Sequence, residues 1–212
     1  MEPVYTPVLW TARSLFAFQG LKFDTAGQEN IPRTGGGVVA LNHFGYMDFA
    51  LSGRIYLDVD RIVRFMAKKE VFDNKISGPI MRSLKHIPVD RAQGADSYRN
   101  AVEYLKRGEL VGVYPEATIS RSFELKAFKS GAARMAIESG APIVPTVIWG
   151  AQRVWTKGHP KQLGRTGYKI SIGVCEPLEA TGSAGGGTCF GAGFFPVTST
   201  VTKDGQSPSR QL

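Results

Sequence analysis

Short apolar runs alternate with segments of helical periodicity along most of the chain. Residues 38–41 form a continuous apolar run after three glycines, which is typical of a buried strand, and residues 47–57 have the spacing of a helix. Further strand-like runs lie at 61–66, 110–114, 143–149 and 168–174, and helical patterns at 96–105 and 129–139. Asp96 is placed to cap the first of these helices and Gly108 to end it. The alternation predicts an α/β fold with a central mixed, largely parallel sheet flanked by helices.

The two ends of the chain differ from this middle part. Residues 1–25 contain an apolar helical stretch in which Leu15 and Phe16 share one side, whereas Trp10 and Phe18 fall elsewhere. We predict an amphipathic or apolar amino-terminal helix, and two interpretations stay open: packing on the core, or lying in a bilayer interface. Residues 26–180 form the main domain. Residues 181–212 are rich in Gly, Ser and Thr, so we expect a loosely ordered tail.

Composition and charge restrict the class of protein. The 212 residues are 42% hydrophobic and 21% charged, which is ordinary for a globular domain. No apolar run reaches the roughly 18 to 20 residues that a spanning helix needs. Residues 61–134 hold 15 basic and 8 acidic side chains, so most of the net charge of +8 lies there. A positive centre suits nucleic acid, anionic lipid or a phosphorylated substrate, and charge alone does not choose among them.

Two polar residues five positions apart, His43 and Asp48, follow the strand at 38–41. If His43 lies in the strand-to-helix loop and Asp48 in the first helical turn, the carboxylate reaches back to the imidazole and fixes its tautomer. The pair then works as a general base and its orienting group. A loop histidine beside an unrelated helix-start carboxylate remains the alternative.

Two other segments follow strand-like runs, at the sheet edge where open α/β folds place ligands. Glu116 and Thr118 come after the strand at 110–114 and have the chemistry to bind substrate hydroxyl groups, although, taken alone, they are better explained by a turn with a helix cap. Arg91 follows a short strand and presents a planar guanidinium to a phosphate, unless it only pairs with Asp90. The three histidines and two cysteines lack the spacing of metal ligands, so no metal site is expected.

Taken in order, these blocks resemble the glycerolipid acyltransferase family that includes the 1-acylglycerol-3-phosphate acyltransferases. The resemblance covers roughly residues 30 to 175. The family shows an Asn-His-x4-Asp block, a Lys-Glu-Leu block, an Ile-Pro-Val-Asp-Arg-like block, a Phe-Pro-Glu-Gly-Thr block, a basic segment with Gly and a Pro-containing strand. They match residues 42–48, 67–72, 87–91, 114–118, 128–133 and 141–145.

The resemblance implies that residues 26–180 are an acyltransferase domain that moves a fatty acyl group from a thioester to the free hydroxyl of lysophosphatidic acid, giving phosphatidic acid. His43 and Asp48 are then catalytic, and Arg91, Lys69 and Lys129 neutralise the acceptor phosphate. Glu116 and Thr118 contact the rest of the acceptor. The implied partners are a lysophospholipid, acyl-CoA or acyl-carrier protein and a membrane surface, with neither a cofactor nor nucleic acid.

The same resemblance places the reaction on the cytoplasmic face of the membrane, with the protein peripheral or monotopic. Another acceptor, namely a different lysophospholipid, a lipid-linked amine or a glycolipid, is the alternative within enzymes. A non-catalytic basic module that binds membranes or nucleic acid is the alternative from another class. Ala117 stands where the family usually has glycine; because alanine adopts positive φ less readily, we expect an altered fit to the acceptor.

Overall fold

The structure is a computed structural model, and it describes residues 5–90, 94–179, 187–188 and 198–199. The helices are α1 (Tyr5–Phe18), α2 (Asp48–Leu57), α3 (Lys69–Asp73), α4 (Ser77–Ser83), α5 (Gly94–Lys106) and α6 (Gly131–Ser139). The strands are β1 (Lys22–Ala26), β2 (Gly37–Leu41), β3 (Val63–Lys68), β4 (Ile87–Val89), β5 (Leu110–Val113), β6 (Ile143–Trp149), β7 (Lys169–Val174), β8 (Gly187–Thr188) and β9 (Thr198–Ser199). Two short 3₁₀ turns, Gln28–Asn30 and Ala151–Arg153, complete the described elements.

Seven strands form one sheet in the order β1-β7-β6-β2-β5-β3-β4, and β8 pairs with β9 separately. Every neighbouring pair in the large sheet is parallel except β6 and β7, which run antiparallel. The carboxyl ends of β6, β2, β5, β3 and β4 therefore lie along one edge. The prediction of a mixed, largely parallel sheet flanked by helices is confirmed.

Alternate residues of the central strand β2 face two separate apolar layers. Val39 belongs to a cluster with Leu51 and Ile55 of α2 and Phe16 of α1. Val38 points the other way, into a cluster built from β4, β5, β6, α5 and α6. Period-two alternation thus puts helices on both faces, and burial on both faces explains why β2 has a continuous apolar run.

The amino-terminal helix has one side packed on the core and one side exposed, and its place in a bilayer interface stays a prediction. On α1, Phe16 is buried in the core, whereas Trp10 and Phe18 are 67% and 66% exposed. One side of the helix therefore packs on the domain while large aromatic side chains face outward. None of the helices in the described ranges has the length and apolarity needed to cross a bilayer.

Two local features depart from the sequence-based predictions. Asp96 does not cap α5, because the helix already begins at Gly94 and Asp96 lies in its first turn, where its carboxylate is 2.8 Å from Arg99 Nη2. An acidic side chain there is still favourable, since it faces the positive end of the helix dipole. The sequence patterns also missed β1, an edge strand without a buried residue, and the helices α3 and α4, which at five and seven residues are too short to show a helical period. The predicted loose tail lies outside the described residues, apart from the β8–β9 pair.

Candidate active site

The loops after β2 and β5 meet at the carboxyl edge of the sheet. These strands are adjacent and parallel, with Ala40 in register with Val113, so the residues that follow them emerge side by side. The backbone N of Ser120 donates to the carbonyl O of His43 over 2.8 Å, which joins the two loops directly. The topology thus brings together two blocks that are more than 70 residues apart in the chain.

His43 and Asp48 are paired as the loop-and-turn interpretation predicts. His43 Nδ1 lies 3.0 Å from Asp48 Oδ2, with the histidine side chain 19% exposed and the aspartate side chain fully buried. Because an ionised carboxylate only accepts hydrogen bonds, the paired Nδ1 carries the proton and Nε2 keeps its lone pair. The second ring nitrogen of this partly exposed side chain is therefore free of a proton and able to receive one.

The backbone of the same loop holds Asp48 in place. Its Oδ2 also accepts hydrogen bonds from the backbone N of Phe44 and of Gly45, both 2.8 Å away. Burial raises the pKa of the Asp48 carboxyl above its ordinary value, and the hydrogen bond and positive charge of His43, with the two amides, oppose that rise. The position of the carboxylate is thus fixed by three donors, which leaves the imidazole little rotational freedom.

Glu116 supports the histidine loop from the other side. Its Oε1 accepts from the backbone N of His43 over 2.8 Å, and its Oε2 accepts from the backbone N of Lys126 over 3.1 Å. Only 3% of the residue is exposed. Burial raises the pKa of Glu116, and the two backbone hydrogen bonds oppose the rise. Both carboxylate oxygens therefore bind the protein's own backbone, in a geometry that ties three chain segments together.

The next residue, Ala117, has φ = 55°. This is the left-handed region that costs an L-residue roughly 1 to 2 kcal/mol and that glycine adopts freely. The backbone N of Ala117 donates to the carbonyl O of Tyr114 over 2.9 Å, which closes the turn. Alanine is therefore held in the conformation that glycine would favour, and the altered fit to the acceptor stays a prediction.

Tyr114 lies flat against the imidazole of His43. The ring centroids are 4.0 Å apart and the planes are inclined by 19°. Burial, and secondarily the charge of Asp48, raise the pKa of Tyr114 well above its ordinary value, so the phenol stays neutral. A neutral π face against the imidazole favours its cationic form electrostatically and restricts its rotation.

The other predicted substrate contacts are located less closely around His43. Thr118 is exposed and lies two residues beyond Glu116. Lys129 is also exposed, and its backbone N donates to the carbonyl O of Pro115 over 2.9 Å, which places its backbone next to the Glu116 loop. Lys69 is exposed at the start of α3, and its Nζ lies 3.1 Å from Asp73 Oδ2. Arg91 lies outside the described residues. The substrate roles of these four residues stay predictions.

Two polar residues near the site were not singled out from the sequence as supports. Asn42 donates to the carbonyl O of Ile148 over 2.9 Å and accepts from the backbone N of the same residue over 2.8 Å, which ties the end of β2 to β6. Thr156 Oγ1 donates to the carbonyl O of Phe44. The position of Asn42 directly before His43 could have indicated its supporting role from the sequence. Nothing in the sequence around Thr156 indicates that it contacts Phe44.

His86 is buried in the domain and binds the protein's own backbone. His86 is buried, and its Nδ1 accepts from the backbone N of Phe65 over 3.0 Å. Burial, reinforced by the charge of Arg64, lowers the pKa of His86 to about 4. The imidazole is therefore neutral at physiological pH. Within the described ranges, no group of three or more His, Cys, Asp or Glu side chains is placed to hold a metal ion.

Comparison with curated proteins supports the motif-based resemblance. The chain is 34% identical over 153 residues to the 1-acyl-sn-glycerol-3-phosphate acyltransferase of Bacillus subtilis (strain 168), which covers 72% of this chain and 71% of that protein. It is 29% identical over 170 residues to a chloroplastic 1-acyl-sn-glycerol-3-phosphate acyltransferase of Brassica napus, covering 77% of this chain. That alignment spans only 47% of the Brassica protein, so the chain corresponds to about half of its length.

Comparison with a solved structure and with a family model also supports the resemblance. The structure is similar, with a TM-score of 0.63 and 25% sequence identity, to the crystal structure of the 1-acyl-sn-glycerophosphate acyltransferase PlsC from Thermotoga maritima. The match covers 87% of this chain and 76% of that one. Residues 22–149 match the family model described as Acyltransferase, which is more than half of the chain. The resemblance stated from the motifs is confirmed, and the chain belongs to the acyltransferase family.

Proposed function

We propose that this acyltransferase moves a fatty acyl group from a thioester to the free hydroxyl of 1-acylglycerol-3-phosphate, producing phosphatidic acid. The observation that carries the proposal is the His43–Asp48 pair at the carboxyl edge of the sheet, with Nδ1 fixed by a buried carboxylate. The names of the relatives in Bacillus, Brassica and Thermotoga support the choice of acceptor.

His43 acts as the general base in this mechanism. Its Nε2 takes the proton of the acceptor hydroxyl while the hydroxyl oxygen attacks the thioester carbonyl. The tetrahedral intermediate collapses, the C–S bond breaks and the thiolate leaves with the proton that His43 returns. The acceptor hydroxyl is itself the nucleophile, so no acyl-enzyme forms and no metal or cofactor takes part.

Asp48 and the loop around it keep the base in position. Asp48 sets the tautomer of His43 and stabilises the imidazolium that forms during the attack. Tyr114 covers one face of the ring, and its π electrons favour the same cation. Glu116 positions the His43 backbone, a role supported by its two amide hydrogen bonds.

We assign the acceptor phosphate to three basic side chains. Arg91, Lys69 and Lys129 are the candidates, and Thr118 is placed to contact a polar group of the acceptor. Lys69 is the first residue of α3 and follows β3, and Asp90 follows the neighbouring strand β4. The hydrogen bond and charge of Asp73, and to a smaller extent the charge of Asp90, raise the pKa of Lys69. Arg91→Ala then raises the KM for a phosphorylated acceptor much more than for an analogue without phosphate, and equal losses would make Arg91 structural.

Two further elements of the proposal concern the donor and the location. The donor is an acyl thioester of coenzyme A or of acyl-carrier protein. We assign the protein to the cytoplasmic face of a membrane, bound in part through the exposed aromatic residues Trp10 and Phe18 of α1.

A thiol-release assay with both donors tests the function. Release that depends on lysophosphatidic acid, with phosphatidic acid identified by mass spectrometry, is the expected result. A panel containing other lysophospholipids, a lipid-linked amine and a glycolipid ranks the alternative acceptors in the same experiment. The absence of release with every acceptor, in protein with a normal melting curve, refutes the proposal and leaves a non-catalytic binding module.

A further inference from the structure

We propose that α3 and α4 form a second membrane-contacting element that binds the headgroup region of an anionic phospholipid bilayer. We call its outward side the α3–α4 surface and define it by Val71, Lys75, Ile76 and Ile80. The inference rests on the proposed function, since that function brings the protein to a lipid surface. None of the four residues that define this surface is assigned to the acyl-transfer site.

The apolar side chains of the α3–α4 surface are unusually exposed. Ile76 is 80% exposed, Ile80 43% and Val71 37%. Their neighbours Phe72 and Met81 are buried, so the two short helices already use an inner side to pack on the domain. Folding alone therefore leaves these three apolar side chains in contact with water.

The backbone that displays these side chains is fixed in several places. Asn74 Oδ1 accepts hydrogen bonds from the backbone N of Ile76 at 2.9 Å and of Ser77 at 3.1 Å, which caps the start of α4. A Cβ on Gly78 would lie 2.1 Å from the carbonyl O of Phe72, so the two helices approach as closely as only glycine allows. The exposed Ile76 is therefore held in place before any ligand arrives.

The charges around this surface indicate the chemistry of its partner. Residues 68–85, the segment that carries this surface, include five exposed basic residues against two acidic ones, Glu70 and Asp73, and Lys69 is paired with Asp73. The basic residues are Lys68, Lys69, Lys75, Arg82 and Lys85. Apolar side chains that insert among headgroups, with flanking Lys and Arg that meet anionic lipid, are the combination that binds a bilayer interface. This complementarity selects an anionic bilayer over an apolar protein partner.

The location of the surface is consistent with a lipid substrate. Helix α3 begins at Lys69, directly after β3, and the carboxyl end of β3 lies on the same sheet edge as the loops that carry His43 and Glu116. Binding through the α3–α4 surface therefore brings the candidate active site close to the bilayer from which a lysophospholipid must come.

Flotation with lipid vesicles tests the inference through matched variants. Ile76→Ser combined with Ile80→Ser removes the apolar contacts, and Ile137→Ser is the control, because Ile137 is 52% exposed on α6. Lys75→Glu reverses one charge, with Lys106→Glu on α5 as its control. Vesicles of equal parts phosphatidylglycerol and phosphatidylcholine are compared with vesicles of phosphatidylcholine alone.

We expect the double isoleucine variant to bind mixed vesicles roughly tenfold more weakly, with Ile137→Ser unchanged. Lys75→Glu should weaken binding about fivefold, and only to the anionic vesicles. Equal binding by wild type and both variants, or equal losses in the controls, overturns the proposal. A third result would also overturn the proposal. If the wild type forms a dimer without vesicles, and the double variant dissociates that dimer while binding vesicles normally, the partner of this surface is a second copy of the chain.

Two measurements keep the result independent of folding and of the proposed function. Melting curves identify any misfolded variant, and Lys75→Glu carries the test if the double variant does not fold. Turnover of a short-chain, monomeric lysophosphatidic acid should be equal in all variants, because none of the changed residues lies at His43. If wild type shows no turnover, the proposed function fails while the vesicle comparison still decides the surface.

Discussion

Glu116→Gln separates two roles for this residue, namely contact with the acceptor, as the motif suggests, and positioning of His43, as the hydrogen bonds suggest. Glutamine has nearly the same shape as glutamate but only one acceptor oxygen. One of the two backbone N–H groups, that of His43 or that of Lys126, then faces an NH₂ group inside a site where Glu116 is 3% exposed. The variant therefore loses a hydrogen bond without changing the volume of the side chain.

The expected cost follows from those contacts. A hydrogen bond to a charged acceptor contributes about 1.5 to 3 kcal/mol, and a buried donor left unpaired costs a similar amount. Removing the buried charge offsets part of the loss, because burial already disfavours the ionised form of Glu116 and raises its pKa. We expect a net loss of about 2 kcal/mol in the free energy of unfolding, or roughly 4 to 8 °C in Tm for a chain of this length.

Steady-state kinetics complete the test. Displacement of the His43 backbone by a fraction of an ångström should lower kcat about tenfold or more, with little change in the KM of the acceptor. Thr118→Val is the control from the same block, because Thr118 is exposed and its removal should leave Tm unchanged. A Glu116→Gln protein with normal Tm and kcat but a raised acceptor KM would refute the positioning role and restore the substrate-binding one.

Four other perturbations have expected outcomes. His43→Ala should lower acceptor-dependent thiol release at least about 100-fold, and Asp48→Asn should also lower it strongly. Full turnover in a well-folded His43→Ala protein would exclude the general-base mechanism. Ala117→Gly should raise the free energy of unfolding by about 0.5 to 1 kcal/mol in denaturant titrations, because it relieves φ = 55°, and a destabilised variant would contradict this. His86 has its pKa lowered from 6.5 to about 4 by burial, so the unfolded state takes up a proton first and stability falls as the pH drops from about 6.5 to 4. Between pH 7 and 5 the free energy of unfolding should therefore fall by about 2 kcal/mol in the wild type because of His86, and His86→Asn should lack this loss. Identical pH profiles of stability in the two proteins would refute the effect of His86. Deletion of residues 1–20 should reduce flotation with anionic vesicles and also lower Tm, since Phe16 is buried; unchanged flotation would remove α1 from the membrane model.

The order of the elements and the position of the candidate base were accessible from the sequence. Strands β2, β5, β6 and β7 are recognisable as apolar runs because most of their residues are buried, and helices α2, α5 and α6 are long enough to show a helical period. The relation between His43 and Asp48 was equally accessible, since five residues across a strand-to-helix turn form a local geometry. The ordered motif blocks then led from this geometry to the family.

Tertiary structure decided how the distant parts meet. The strand order places β2 beside β5, and only this neighbourhood lets Glu116 accept from the backbone of His43 across 73 residues. The same packing stacks Tyr114 on His43, buries His86 as a neutral acceptor and divides α1 into a packed side and an exposed side. Local periodicity reports that a side chain is buried but not which side chain it meets, because that depends on the register and order of strands far apart in the chain.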